Sequence, residues 1–557
     1  MVLKSRDILS LLENKTCDFE NKIALGIKES YGWKEFTYRG LGLLSRKLAR
    51  HLIEDLKFEK DERIAILSES KPEYGACVFA SVLAGATIVP LDIKLTTFEL
   101  KSILLDAQPS VIMASQTYLE TAIELQKQIP SIKTILVMDE HSKYENIQNI
   151  YKLPDNYNAK WRRRGPKSTA FIIYTSGTTG APKGVEITNH NITSQLQDLK
   201  YALDAILPEK DIAVLSILPM NHLFEMTVGF CTFLNFGFSV YYSHSLKPKD
   251  ILGIMRDKQI QFMIVVPAFL KLLKAGIESE LNNAPKLTQT LFKLMYHAAR
   301  FIPCYAIKKL MFKKIHDKFG GRFIGCISGG APLDVNVGMF FERIGIKVYQ
   351  GYGLSETSPV VSVNIDKRSV LSSVGRPLKH FETKLDPQTG ELWLRGPSVM
   401  KGYHNQPELT AEVLDEDGWL HTGDIAKIDK DGHIYITGRI KNMIVLQGGK
   451  KVFPEEVEAV LENSELISEC CVLGNSKTFG SKDGTEEVLA VVVPKEELYK
   501  HHSDAEVEQM VRADIKTLSQ RLTQYKRPSN VMVVKTPFER TTTRKIKRNK
   551  VKELVNA

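Results

Sequence analysis

The sequence predicts an α/β protein. A large N-terminal domain of largely parallel sheets with flanking helices and a small β-barrel-like unit precedes a small C-terminal α+β domain. Three observations point there. Helical and strand-like segments alternate from about Tyr38 to Val363, the pattern of parallel strands joined by crossover helices. From Phe381 the chain becomes rich in strands and turns, in Thr383-Lys-Leu385, Glu391-Leu-Trp-Leu394 and Ile434-Tyr-Ile436. A length of 557 residues is too great for one hydrophobic core.

The elements follow in order. Tyr74 to Val89 is the most apolar window, rich in Ala and Gly and closed by Pro90. It is shorter than a membrane span, so it reads as a buried helix and strand. Thr169-Ala-Phe-Ile-Ile-Tyr174 is apolar and β-prone, a strand leading into a loop. Phe262-Met-Ile-Val-Val-Pro-Ala-Phe269 is apolar enough to line a channel. Ile307, Met311, Ile315 and Phe319 recur every four residues, flanked by Lys308, Lys309, Lys313 and Lys314. This segment, 307–319, reads as a core-packed amphipathic helix with a solvated basic side; peripheral contact with an anionic membrane is the second reading. Gly438-Arg-Ile-Lys441 marks the domain junction, dividing 1–440 from 441–557. Beyond it come a helix opened by proline (Pro454 to Glu462), a buried strand (Glu487 to Pro494) and a second helix (Asp504 to Leu522). The C-terminal piece, at about 120 residues, is of ordinary domain size.

Residues 174–184, Tyr-Thr-Ser-Gly-Thr-Thr-Gly-Ala-Pro-Lys-Gly, carry the densest chemistry. Gly177, Gly180 and Gly184 let the backbone approach a ligand closely. Thr175, Ser176, Thr178 and Thr179 add hydroxyls, and Lys183 a positive charge. Amides, hydroxyls and one ammonium suit an oxyanion, polyphosphate above all. The run is not a Walker A loop, because Lys183 follows Pro182 and precedes Gly184. Its glycine spacing is not that of a dinucleotide fingerprint either.

This run resembles the phosphate loop of the adenylate-forming (AMP-binding) enzymes, which include acyl-CoA synthetases, peptide-synthetase adenylation domains and beetle luciferases. Further matches stand in that family's order: Ser328-Gly-Gly-Ala-Pro-Leu333, Tyr349-Gln-Gly-Tyr-Gly-Leu-Ser-Glu-Thr357, Gly390-Glu-Leu392, His421-Thr-Gly-Asp424, Thr437-Gly-Arg-Ile-Lys441, Gly448-Gly-Lys450 and Thr541-Thr-Thr-Arg-Lys-Ile-Lys547. Lys309 to Arg322, running into Ser328, is similar to long-chain acyl-CoA synthetases in particular.

The resemblance implies a reaction: a carboxylate and ATP give an acyl-adenylate and pyrophosphate, and a thiol then takes the acyl group. It implies ATP, Mg²⁺ and CoA as cofactors and co-substrates, with a fatty acid as substrate. It places Glu356 and Thr175 at the metal. Tyr352 would lie on the adenine face, with Gly330 and Ala331 opposite. Gln350, Gly351 and Ser355 would be nucleotide contacts. Asp424 would accept the ribose hydroxyls, with Arg439 beside it. Lys545 would be the catalytic lysine at the reacting oxygens, although Arg544 stands where many relatives have glycine. Lys441 would be the hinge of a mobile C-terminal lid that exchanges Lys545 for Gly448 and Gly449 between half-reactions. His222, in Leu218-Pro-Met-Asn-His-Leu-Phe-Glu-Met226, would stand at the mouth of the acyl pocket. Competing expectations are an acyl carrier protein as acceptor, a catalytically degenerate nucleotide-binding scaffold, and a light-producing oxygenase.

Composition narrows the partners. With 43% hydrophobic and 25% charged residues, the chain reads as a soluble globular protein. Net charge is +10, of which Arg521 to Ala557 supplies +9, from eleven Lys/Arg against two Asp/Glu. No aromatic stacking pattern or reader motif accompanies that basic tail, so nucleotide and CoA phosphates are expected there rather than nucleic acid. Seven scattered cysteines without a Cys/His cluster fit a reducing cytoplasm and no zinc site. The N-terminus lacks the apolar core of a signal peptide. Oligomeric state is not legible.

Overall fold

The computed structural model describes residues 18–155, 159–175, 182–204, 206–207, 211–366, 370–446, 450–476, 486–540 and 545–556. By internal contacts the chain divides into two compact units. The first comprises 1–382 and 395–420, the second 383–394 and 421–557.

The first unit holds two large sheets. In one, strands Ile23–Glu29, Ser239–Tyr242, Ala213–Ser216, Phe262–Val265, Gly325–Ser328 and Lys347–Tyr352 lie side by side and parallel. Antiparallel strands are added at both edges. The other sheet is parallel from Gln148–Asn149 through Arg63–Leu67 to Thr169–Thr175. It ends in the antiparallel strands Lys183–Thr188 and Gly402–Tyr403. Crossover helices cover the faces, which is why the parallel strands are apolar along their whole length.

The apolar window near Tyr74 forms helix Pro72–Ala84 and strand Thr87–Pro90. Nearly every helix residue is buried. Gly85 ends the helix at φ +75°, a left-handed turn in which a side chain would also collide with Arg162. Among the described residues, no helix is long and apolar enough to cross a membrane.

The segment expected as one amphipathic helix over 307–319 is two short helices, Tyr305–Met311 and Lys313–Lys318. They break at Phe312, whose backbone leaves the helical region. Met311, Ile315 and Phe319 pack on the core, but Ile307 points outward and Lys308 is buried, its ammonium donating to the Glu342 carbonyl at 3.1 Å. The four-residue repeat therefore does not form one continuous surface. Phe312 turns the chain inward, where its ring packs on Phe292.

In the second unit, the β unit expected after Phe381 is an open four-stranded sheet of Glu382–Leu385, Glu391–Arg395, Leu420–Ile428 and Ile434–Arg439. The rest is α+β, with a sheet of Ile467–Ser476, Glu486–Pro494 and Asn530–Val533. Helices Pro454–Leu461, Asp504–Ser519 and Arg548–Asn556 accompany it. Pro454 opens its helix, and Ser503 with Glu506 caps the next through reciprocal hydrogen bonds.

Candidate active site

In the first unit, the sheet gathers the candidate residues at the C-terminal ends of its parallel strands, where α/β folds place ligand crevices. Ser328 and Gln350 are register partners at the ends of adjacent strands. The segments 329–331 and 351–356 therefore leave the sheet side by side. His222 follows strand Ala213–Ser216, which is separated from Gly325–Ser328 by strand Phe262–Val265, and a side chain at Gly329 would meet the Phe224 ring at 3.0 Å. Gly330 sits at φ +82°, open to space on its side-chain face. Two buried oxygens at this edge, Ser328 Oγ and Gln350 Oε1, find no partner among the described residues, as expected of groups that take a polar ligand.

Glu356 lies in the one-turn helix Ser355–Thr357 just past strand Lys347–Tyr352. Its Oε1 accepts from the Tyr403 hydroxyl at 2.9 Å. The Lys183 ammonium stands 5.2 Å from the centre of the same Tyr403 ring. Burial, then the Glu356 charge, push the Tyr403 phenol well above its ordinary pKa, so it remains a donor. Tyr403 thus links the acid proposed for the metal with the lysine proposed for phosphate. Nothing in the spacing of Lys401-Gly-Tyr403 announced this role, because strand Gly402–Tyr403 is brought there only by pairing with Lys183–Thr188.

Thr175 and Lys183 are register partners that close the mouth of an antiparallel hairpin. The expected Ser176, Gly177, Thr178, Thr179 and Gly180 lie outside the described residues. The hairpin base is tied by hydrogen bonds to residues beside strand Gly402–Tyr403. Glu186 binds His404 at 2.7 Å and Lys401 at 2.6 Å, and these hydrogen bonds, His404 first, draw its carboxyl down to about 2.

The second unit assembles its own group. Asp424 and Arg439 are register partners on adjacent antiparallel strands, and the Arg439 Nε donates to Asp424 Oδ1 at 2.6 Å. Gly423, at φ +71°, makes the turn that aims Asp424, and its N–H donates to Glu391 at 2.7 Å. The His421 ring stacks on Trp393 at 4.1 Å. Lys545 feels both members of the pair. Desolvation, then repulsion by Arg439, lower its pKa from the usual lysine value, while Asp424 opposes the shift. Lys441 is exposed in the short turn Ile440–Asn442. Gly448, Gly449 and Arg544 lie outside the described residues.

The residues fit the groups expected of them. Glu356 and Thr175 offer hard oxygen donors of the kind magnesium takes. The orphaned oxygens and the positive-φ Gly330 suit a flat polar base.

The AMP-binding enzyme profile matches residues 12–404, and that of the AMP-binding enzyme C-terminal domain matches 441–556. The chain belongs to the AMP-binding enzyme family. Relatives of this AMP-binding enzyme include the long-chain-fatty-acid–CoA ligase FadD15 of Mycobacterium bovis, 28% identical over 80% of this chain and 76% of that one. Luciferin 4-monooxygenase of Photinus pyralis is 30% identical over 78% and 75% of the two chains. The solved structure of ATP-bound MatB from Rhodopseudomonas palustris shares the fold, with a TM-score of 0.79 at 24% identity over 99% of this chain and 98% of that one.

Two further features of this AMP-binding enzyme sit in the His222 run. Burial lowers the His222 pKa, favouring neutral imidazole, and its Nε2 has no partner among the described residues. Three residues on, Glu225 is fully buried, which sequence reading missed although an acid in so apolar a run is conspicuous. The Ser216 hydroxyl donates to Glu225 Oε2, and the buried Tyr242 hydroxyl also acts on the carboxyl. The carboxyl lies over Gly229, where a Cβ would stand 2.2 Å from its oxygens. Burial raises its pKa to about 8, so it is mostly protonated at neutral pH.

The folded state therefore holds a proton that the unfolded chain releases near the ordinary carboxylate value of 4.5. Stability falls as pH rises from that value to about 8, by up to roughly 1.4 kcal/mol per unit. Glu225→Gln will remove this slope, so its urea midpoint will exceed the parent's by more at pH 8 than at pH 5. Parallel pH profiles for the two proteins contradict a buried protonated acid.

Proposed function

We propose that this enzyme activates a long-chain fatty acid with ATP and passes the acyl group to CoA. The carrying observation is the Lys183–Tyr403–Glu356 connection in one unit together with the Asp424–Arg439–Lys545 group in the other. The first set suits the phosphates and the metal, the second the ribose and the reacting oxygens. The long-chain reading is supported by the names of several relatives, among them long-chain-fatty-acid–CoA ligases of Mycobacterium bovis and Xenopus laevis.

In this reading Lys183 and the hydroxyls of its loop hold the outer phosphates. Magnesium, when bound, would offset charge on the phosphate oxygens, with Glu356 and Thr175 as its protein ligands and Tyr403 orienting Glu356. Tyr352 stacks on adenine against Gly330 and Ala331, while Gln350, Gly351 and Ser355 contact the nucleotide. Asp424 accepts from the ribose hydroxyls, and Arg439 fixes its orientation. Lys545 donates to the carboxylate and α-phosphate oxygens, opposing the charge that accumulates as they meet in line. His222, uncharged, borders the acyl chain without attracting water.

The second half-reaction needs different surroundings, and in this reading the lid, 441–557, pivots at Lys441. Gly448 and Gly449 then give passage to pantetheine. The start of the C-terminal family match at residue 441 supports this boundary. Lys441→Pro should slow adenylation, thioester formation or both; unchanged rates for the two steps reject the hinge.

Pyrophosphate release across carboxylic acids of increasing length tests the substrate. The specificity constant should rise by up to about fourfold per methylene until the channel is filled. A series peaking at acetate or at an aromatic acid overturns the fatty-acid reading. Product formed with a carrier protein but not with CoA reassigns the acceptor.

A further inference from the structure

Over residues 281–316 the chain carries seven Lys/Arg and no Asp/Glu. Helix Lys286–Ala298, within this stretch, buries none of its residues fully. It docks by one face only. Phe292 stacks on Tyr296 at 5.8 Å and meets Phe312 edge-on at 5.5 Å, and Tyr296 packs on Phe340 at 5.9 Å. Helical periodicity then turns Leu287, Leu291 and Leu294, spaced four and three residues apart, to the opposite side. Leu287 is 82% exposed, and farther along Phe301 and Leu310 are 81% and 73% exposed. Single exposed leucines are ordinary, but a row of them continued by an aromatic residue is not. Lys286 and Lys293 flank the row along one edge, Arg300 adjoins Phe301, and all three are exposed.

We propose that this face seats the protein on an anionic lipid bilayer. The leucine row and Phe301 enter the acyl boundary, and Lys286, Lys293 and Arg300 lie at the headgroup phosphates. Charge and composition choose this occupant. A second copy docking through the same patch would oppose one basic face with another. Leucine is under-represented among the anchors of protein interfaces, whereas apolar side chains with flanking lysines are the make-up of an interfacial helix. The surface is built by 286–310, not by the repeat over 307–319.

Flotation of the full-length protein with vesicles tests this. It should bind phosphatidylcholine vesicles containing phosphatidylglycerol, bind pure phosphatidylcholine weakly, and release in high salt. Lys286→Glu with Lys293→Glu should weaken binding by about 30-fold or more. Leu287→Ser, Leu291→Ser and Leu294→Ser together should weaken it at least roughly tenfold. Both variants should keep the parent's melting temperature and its adenylation of a short soluble acid, because these side chains are exposed. Three results would overturn the proposal: wild-type protein that floats with no vesicle, flotation unaltered in both variants, or a dimer or carrier-protein complex lost in the variants without vesicle binding.

Discussion

Lys545→Ala will lower acyl-adenylate formation by roughly 100- to 1000-fold, the loss typical when a preorganised donor facing developing charge is removed. Desolvation of the ammonium, then repulsion by Arg439, disfavour its charge and lower its pKa from the usual lysine value while Asp424 opposes the shift, although the residue itself reaches solvent. A phosphate oxygen arriving there would relieve that disfavour, so the interaction strengthens as the reaction proceeds. Transfer from a preformed acyl-adenylate to CoA should fall far less, because the proposed role ends with the first step. Rapid-quench assays of the two half-reactions separate these cases. Equal losses in both steps, or none in the first, would remove Lys545 from the chemistry. Lys545→Arg keeps the charge on a wider head and should restore only part of the rate.

Arg548→Met will destabilise the second unit by up to about 3–5 kcal/mol, the upper bound being the cost of leaving a fully buried charge unpaired, where this pair is partly buried. Arg548 donates to Glu458 at 2.6 Å and to the Val472 carbonyl at 2.7 Å. Glu458 also accepts from the Val472 N–H at 2.6 Å. The cluster ties helix Pro454–Leu461, strand Ile467–Ser476 and helix Arg548–Asn556 together, and so anchors the chain three residues after Lys545. Glu458 is buried enough that desolvation raises its pKa even beside arginine. Without Arg548 it must take up a proton or remain charged in the core. Hydrogen exchange over 454–476 will report the loss. Adding Glu458→Leu should recover most of it, since an apolar pair of similar volume often replaces a buried ion pair at little cost. A double variant as unstable as the single would mean that packing, not charge, is at stake.

Much of this architecture was legible in the chain. Alternating apolar segments announced the parallel sheets, and Pro454, Gly85 and the Ser503–Glu506 box mark helix ends through local chemistry alone. Asp424 and Glu356 were recognisable because their neighbours form runs that a sequence displays whole. Tyr403 was not, because it reaches Glu356 from 47 residues away through a strand only two residues long. The 307–319 repeat misled because a period of four fits one amphipathic helix, while the chain leaves the helical region at Phe312, whose ring packs on Phe292. Glu225 stands in the same run as His222, yet its protonation follows from complete burial, which no local pattern reports.

The chain's own order of residues showed that apolar segments build parallel sheets, where a turn needs glycine, and which runs match the AMP-binding family. Those properties depend on backbone sterics and on residues within a few positions of one another. Only folding brings Tyr403 between Glu356 and Lys183 and turns Leu287, Leu291 and Leu294 outward. Each depends on strand register or on the docking of one face, and these are set by the burial of side chains far apart in the chain.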